Sequence, residues 1–306
     1  VDAVIVSDLG LADFTIKKIG LSVHLSTQMS CLNTYAAKFW KEIGVKRVVL
    51  GREVSISEAK VIKKEANIEV EMFIHGAMCM GYSGECVLSV ASHGRDGNRG
   101  GCAHNCRFHY QSADKTGEIK NDFLLSSKDL CGISLIPQLA EAEIDALKIE
   151  GRMKGPYYVG SVTKLYAQAL ATYSPKGDWP PELLQEWQQE MEKTPHRGFA
   201  PGHLLSPAGA ESLYHQSRGE SSEMAIGMVL QSDSSSLVLE VRQGFMAGEG
   251  IELLPFVGNP LPLDSHLITS LDGQSLAKAS PGMVVRLPSI MGAKQWALVR
   301  RRPSSP

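Results

Sequence analysis

Short apolar runs recur through the first half of the chain, at residues 3–6, 21–25, 47–50, 70–74 and 146–149. Runs of this length, bounded by turn residues, read as strands of a sheet covered on both faces. Between them, over 34–43 and 57–65, apolar positions recur at helical spacing. The alternation predicts βα units on a parallel sheet. Each strand ends in polar or small residues: Ser7-Asp8, Ser26-Thr27-Gln28, Gly51-Arg52-Glu53, His75-Gly76 and Glu150-Gly151-Arg152. In a (βα) barrel these positions form the active-site rim. Five units are too few to close eight strands, so an incomplete barrel and an open doubly wound sheet both fit.

One connection, 79–124, is far longer than a βα loop and is rich in Gly, Arg, Asn and Cys. Loops beyond about 15 residues in a compact domain are usually functional or disordered, and the cysteines argue for function. Residues 124–139 read as a helix capped near Ser126 or Ser127, and 157–173 as a second, amphipathic one. A Pro/Gly-rich connector with one charged helix, 181–193, fills 174–221. From 222 to 306 short strands (225–230, 236–241, 250–254, 282–287 and 296–302) are punctuated by Gly, Ser, Pro and Asp, as in a small β-barrel or sandwich. The expected organisation is an α/β catalytic part over 1–173, a helical or irregular connector over 174–221, and a C-terminal β domain over 222–306.

Charge narrows the function. Across 306 residues, 31 Lys and Arg face 33 Asp and Glu, a net charge of −2. That excludes a wholesale polyanion binder and leaves room for a local basic patch. No apolar run reaches the roughly 18 residues of a membrane span. Six cysteines without a secretory leader point to a reduced, cytoplasmic protein whose Cys clusters serve metal or catalysis. Val1 enters a core-strand pattern directly, whereas termini normally fray at the surface, so upstream residues are expected to be missing.

Cys79, Cys86, Cys102 and Cys106 lie in the long loop with spacing C-x6-C-x15-C-x3-C. Four soft thiolates suit structural zinc or an iron–sulfur cluster. Cys102 and Cys106 resemble one zinc knuckle, while the wide first pair fits a cluster wrapped by one loop; both metals stay open on spacing. Cys31 and Cys131 read as small core residues, Cys131 on the expected 124–139 helix and in reserve as a ligand.

Several segments together resemble the collagenase-like peptidase family, U-type family 32. They include Glu69-Val70-Glu71-Met72-Phe73-Ile74-His75-Gly76-Ala77-Met78-Cys79, Tyr82-Ser83-Gly84-Glu85-Cys86, Asn98-Arg99-Gly100-Gly101-Cys102, Ser127-Lys128-Asp129-Leu130, Leu147-Lys148-Ile149-Glu150-Gly151-Arg152 and His196-Arg197-Gly198-Phe199. The resemblance is closest to the bacterial branch that makes 5-hydroxyuridine at the tRNA wobble position and depends on prephenate. It implies a TIM-type (βα) barrel lacking its first strands, a Cys-rich insertion and a small C-terminal β-barrel domain. It also implies a 4Fe–4S cluster on Cys79, Cys86, Cys102 and Cys106, with zinc as the alternative. Its partners would be tRNA and a small-molecule co-substrate.

On the barrel reading, His24, Gln28, Arg52, Glu53, His75, Lys148, Glu150 and Arg152 share one rim. His75, Glu53 and Glu150 are the candidates for moving protons. Arg52 and Arg152 match the carboxylates of a prephenate-like donor or an RNA phosphate, with His24, Gln28 and Lys148 beside them. Arg99 and Arg107, with Arg95 and His104, place positive charge near the thiolates for phosphate contact. Plain salt bridges, Lys148 with Glu53 and Glu150 with Arg152, are the structural alternative. Tyr82, Phe108 and Tyr110 either stack on an extruded base or pack against the barrel. Arg300-Arg301-Arg302 reads as a solvated basic end or an RNA contact. A collagenase-like peptidase is the alternative activity, although neither an H-E-x-x-H nor a G-x-S-x-G motif is present. A non-catalytic RNA-binding or assembly partner is the third reading.

Overall fold

A computed structural model describes residues 1–113, 115–175, 179–214 and 225–302. The start of the C-terminal domain expected at 222 lies outside the described residues. The chain forms two compact units, one of Val1–Arg152, Thr172–Leu184 and His196–Glu220, the other of Met153–Ala171, Gln185–Pro195 and Ser221–Pro306.

The first unit begins β1 (Ala3–Val6), α1 (Leu9–Phe14), β2 (Ser22–Leu25), α2 (Thr34–Ile43), β3 (Arg47–Val49), α3 (Ile56–Ala66) and β4 (Glu69–Ala77). The long connection carries α4 (Leu88–His93) and a hairpin of β5 (Tyr110–Ala113) and β6 (Ile119–Asp122). It leads to β7 (Asp129–Cys131), α5 (Ile136–Glu141) and β8 (Ala146–Ile149). Helix starts follow local chemistry: Asn33 accepts from the Ala36 N–H, and Ser55 with Glu58 forms a capping box.

Strands β1, β2, β3, β4 and β8 pair in parallel and in that order, with Val6 opposite Leu25, Leu25 opposite Val48, Val49 opposite Glu71 and Phe73 opposite Lys148. A doubly wound sheet reverses its order at a switch point. This sheet does not reverse, so it is a half-barrel wound in one direction. Beyond the arc, β7 pairs antiparallel with the end of β4, and β9 (Phe199–Ala200) pairs with β7.

Alternation gives the half-barrel two faces. Val23, Leu25, Val48, Val70, Met72 and Ile74 are buried on the first, and the helices add Ala37, Trp40, Ala59 and Ile62 to the core. The other face is charged. Arg47 lies 2.8 Å from Glu69 and 3.6 Å from Glu71, and Lys148 lies 2.9 Å from Glu71.

Three local expectations change. The 124–139 segment is not one helix: Ser127 and Lys128 bond across to Tyr214 and Leu213, and β7 follows. Gly132 donates to Ile74 O and breaks the pattern before α5. Cys131 is therefore on a strand. Finally, β4 runs on to Ala77, which takes His75 and Gly76 into the sheet.

The second unit contains α6 (Pro156–Thr172), most of α7 (Pro181–Glu192) and a β-rich part. Its strands are β10 (Ala225–Ser232), β11 (Ser236–Val241), β12 (Phe245–Met246), β13 (Ile251–Leu254), β14 (Leu261–Leu263), β15 (Lys278–Ala279), β16 (Val284–Pro288) and β17 (Leu298–Arg301). Six of them form an antiparallel sheet in the order β14-β13-β17-β10-β11-β16, and β12 pairs with β15. Ile226, Val229, Leu239, Phe245, Ala279, Val285 and Val299 share one core, so sheet and ribbon enclose it together. Arg300 is no solvated end. It is wholly buried and donates to Glu252 at 2.7 Å, Tyr157 Oη at 3.0 Å and Glu190 at 3.0 Å. Arg301 is tied to Glu249 and to Gly244 O.

Candidate functional site at the cysteine loop

The loop after β4 is fastened to the strand-end rim at several points. Gly76 has φ +107°, and a Cβ there would stand 2.1 Å from Glu150 O. Only glycine lets the ends of β4 and β8 approach this closely. Glu150 N–H in turn donates to His75 O at 2.9 Å. Ser127 Oγ donates to Met78 O at 2.7 Å, immediately before Cys79. The buried Arg197 donates to Ser127 O at 2.9 Å and pairs with Asp129.

Ser83 forms the second anchor. Its N–H donates to Glu53 Oε1 at 2.9 Å, and its hydroxyl accepts from the Arg52 N–H at 3.1 Å. Ser30 Oγ donates to Ser83 O. Gly84, at φ +86°, lies where a Cβ would meet Gln28 O at 2.2 Å. Gln28 Nε2 donates to Asn98 O at 2.8 Å, and Asn98 Nδ2 donates to Gly84 O at 2.9 Å. The thiols are thereby held beside the ends of β2, β3 and β4.

None of the six cysteines is in a disulfide among the described residues. Burial pushes the Cys79 thiol up; the charges of Cys86 and Cys102 add to this, against a hydrogen bond from Gly81 and the pull of Arg52. Burial likewise pushes Cys106 up, opposed by Arg107. These mutual influences place the four loop thiols in one neighbourhood. A Cβ on Gly81 would stand 2.9 Å from Cys86 Cβ and 3.3 Å from its Sγ, so glycine leaves the space around that sulfur open. Among the described residues, no three His, Cys, Asp or Glu side chains are grouped tightly enough to hold a metal ion. The donor set itself, four free soft sulfurs beside cations, fits an iron–sulfur cluster or zinc. Cys31, fully buried, is pushed up to about 11 by burial and is a packing residue.

Guanidinium groups surround the thiols. Arg52 lies 3.8 Å above the centre of the Phe73 ring, and its guanidinium makes no hydrogen bond or ion pair among the described residues. Burial lowers its pKa, opposed by Cys79, Glu150 and Glu53. His104 is lowered by burial and then by Arg107, Arg152 and Arg197. Arg152 Nη1 stands 3.3 Å from the Cβ position of Gly100. With Arg197 neutralised by Asp129, the guanidiniums of Arg52, Arg107 and Arg152 face Glu53 and Glu150, an excess of one positive charge before the thiols are counted. Glu53 Oε2 is buried and has no hydrogen-bond partner. Glu150 Oε1 accepts from the Arg152 N–H at 3.1 Å.

The structure thus brings Gln28, Arg52, Glu53, Glu150, Arg152 and Arg107 to the loop cysteines. The remaining expected residues lie elsewhere. Arg99 is exposed and pairs with Asp96 at 3.4 Å. Lys148 pairs with Glu71 rather than Glu53, and borders the site through the Phe73 ring at 5.5 Å. His24 is inside β2, its pKa lowered by burial and by Arg47. His75 is buried, its ring 5.4 Å from Phe199, which stacks on His196 at 4.2 Å. Phe73, Ser83, Asn98, Asp129 and Arg197 are additions. All five fall inside the motifs of the family resemblance, the signal that marks them.

Comparison with known proteins follows the same lines. Residues 1–213 match the model of Peptidase family U32. The chain is 37% identical over 276 residues to tRNA hydroxylation protein P1 of Bacillus subtilis (strain 168), covering 85% of this chain and 64% of that protein. It is 33% identical to a Porphyromonas gingivalis collagenase, covering 72% and 56%. To the 23S rRNA 5-hydroxycytidine C2501 synthase of Escherichia coli (strain K12) it is 32% identical, covering 83% and 39%. The chain therefore spans between 39% and 64% of the length of these relatives. Among the described residues, no helix is long and apolar enough to cross a membrane.

Proposed function

The chain belongs to peptidase family U32, and on that footing we propose that it serves an RNA-modifying enzyme, a prephenate-dependent hydroxylase of the tRNA wobble uridine at C5. The observation that carries this reading is the convergence of four free thiols and three guanidiniums on one strand-end rim. Relatives named for tRNA hydroxylation and for rRNA hydroxycytidine synthesis support the reaction class.

Cys79, Cys86, Cys102 and Cys106 would hold a 4Fe–4S cluster, with zinc as the alternative; a bound cluster supplies a redox centre or Lewis acid. Four thiolates around a doubly positive core carry a net −2, and Arg52 and Arg107 offset that charge. Arg52, free of other hydrogen bonds and stacked on Phe73, binds one carboxylate of a prephenate-like dianion. Arg152 takes the second carboxylate or an RNA phosphate. Glu53 holds Ser83 through one oxygen and keeps the other for a proton. Glu150 is the second proton carrier, and the enclosed His75 positions the β4 end that bears both neighbours. The half-barrel belongs to a complete TIM-type barrel, and the enzyme works in the cytoplasm.

Nucleoside mass spectrometry tests the reading. The anaerobically iron-loaded chain is incubated with undermodified tRNA and prephenate. The expected result is 5-hydroxyuridine from the wild type and none from Cys102→Ser or Arg52→Ala. An iron-loaded wild type that yields no hydroxylated uridine contradicts it. Cleavage of denatured collagen by metal-free protein would support instead the activity for which the P. gingivalis relative is named.

A further inference from the structure

The second unit holds a cavity of about 100 Å³, walled by α6, α7 and the loops around residues 254–260 and 296–298. Phe256 and Trp296 line it, yet remain 53% and 54% exposed. Trp296 is held at φ +72°, in the left-handed region that aromatic residues rarely adopt. Its N–H donates to Val229 O at 2.7 Å, so the sheet itself holds the strained residue in place. Strain of this kind collects at ligand sites.

The α6 wall is different in character. Ser161 and Lys164 follow one another at i,i+3 and both line the cavity. Ser161 Oγ is buried without a hydrogen-bond partner. The Lys164 ammonium makes no hydrogen bond or ion pair among the described residues; burial lowers its pKa, opposed by Glu190. That carboxylate is already engaged by Arg300 and Lys193. The cavity therefore offers two exposed aromatic faces, one uncommitted cation and one buried hydroxyl, while the Glu186 carboxylate on its wall can accept from a base N–H.

We infer that this cavity binds one unstacked nucleotide of single-stranded RNA, its base against Phe256 and Trp296 and its phosphate on Lys164 and Ser161. Flat aromatic faces beside a free cation are the means by which proteins hold splayed bases. The inference rests on the RNA reading above and adds a second contact to it, on a separate unit.

The test is binding of a short uridine-rich RNA oligonucleotide to the full chain by fluorescence anisotropy, with UMP as a second probe. Phe256→Ala should weaken oligonucleotide binding about 5- to 150-fold, the worth of one stacked base. Lys164→Gln should flatten the slope of log affinity against log salt by about 0.7. Lys38→Gln, on the surface of the first unit, should change neither. Oligonucleotide binding that both cavity substitutions leave intact overturns the site and spares the RNA reading. A folded wild type that binds no RNA overturns both. Binding of UMP without the oligonucleotide overturns an RNA strand as the ligand.

Discussion

Ser83 donates its N–H to Glu53 Oε1 at 2.9 Å, and this bond ties the cysteine loop to the end of β3. Because Ser83 is buried, removing the acceptor leaves its donor unsatisfied. Glu53→Ala should cost about 1–3 kcal/mol and speed hydrogen exchange over residues 82–86. Exchange at the wild-type rate would show that the loop is held by its other anchors.

Arg197 and Asp129 make a buried ion pair across 68 residues of chain, joining the segment before β9 to the start of β7. Removing one partner strands a charge, so Arg197→Met should destabilise by about 3–5 kcal/mol. Pairing it with Asp129→Leu should recover much of that loss. Denaturant midpoints decide; simple additivity of the two single changes would deny the coupling.

Gly76 stands where β4 meets Glu150 O, at positive φ. Gly76→Ala combines a backbone collision with a strained conformation, and the strain alone is worth about 1–3 kcal/mol. The expected outcome is a lower thermal midpoint with loss of iron uptake. A variant as stable as wild type would mean that the rim can shift without consequence.

Glu190 supplies a pH dependence. Burial raises its pKa, but hydrogen bonds from Arg300 and Lys193 outweigh that and hold it below the ordinary 4.5. A depressed carboxylate stabilises the fold above its unfolded value, and that contribution is lost as pH falls through the folded one. The wild type should lose stability more steeply below pH 4.5 than Glu190→Gln, measured by denaturation across an acid series. Equal slopes would remove Glu190 from the account.

Much of the half-barrel was legible because its strands are apolar runs punctuated by polar ends, and β1, β2, β3 and β8 begin or end within a residue of the pattern. What escaped depends on distant partners. Residues 124–139 carry helix-like spacing, yet Lys128 N–H bonds to Leu213 O, and pairing with β4 overrides the local preference. A polar His75 followed by a glycine looks like a strand end, while Glu150 N–H bonding to His75 O keeps both in the sheet. Arg300 looks like part of a basic tail because the acceptors that bury it, Glu190 and Glu252, lie 110 and 48 residues away. The four thiols were visible as spacing, and the guanidiniums beside them as the strand-end Arg52 and Arg152 and the loop's Arg107; Arg197, paired with Asp129, is one that no local pattern connects to Cys106.

The most direct measurement is iron, sulfide and zinc content after anaerobic reconstitution, taken with the visible spectrum. The account predicts about four irons and four sulfides per chain with a broad charge-transfer band, lost together in Cys79→Ser or Cys106→Ser. One zinc with no sulfide, or no bound metal in a folded chain, would contradict a cluster at this rim.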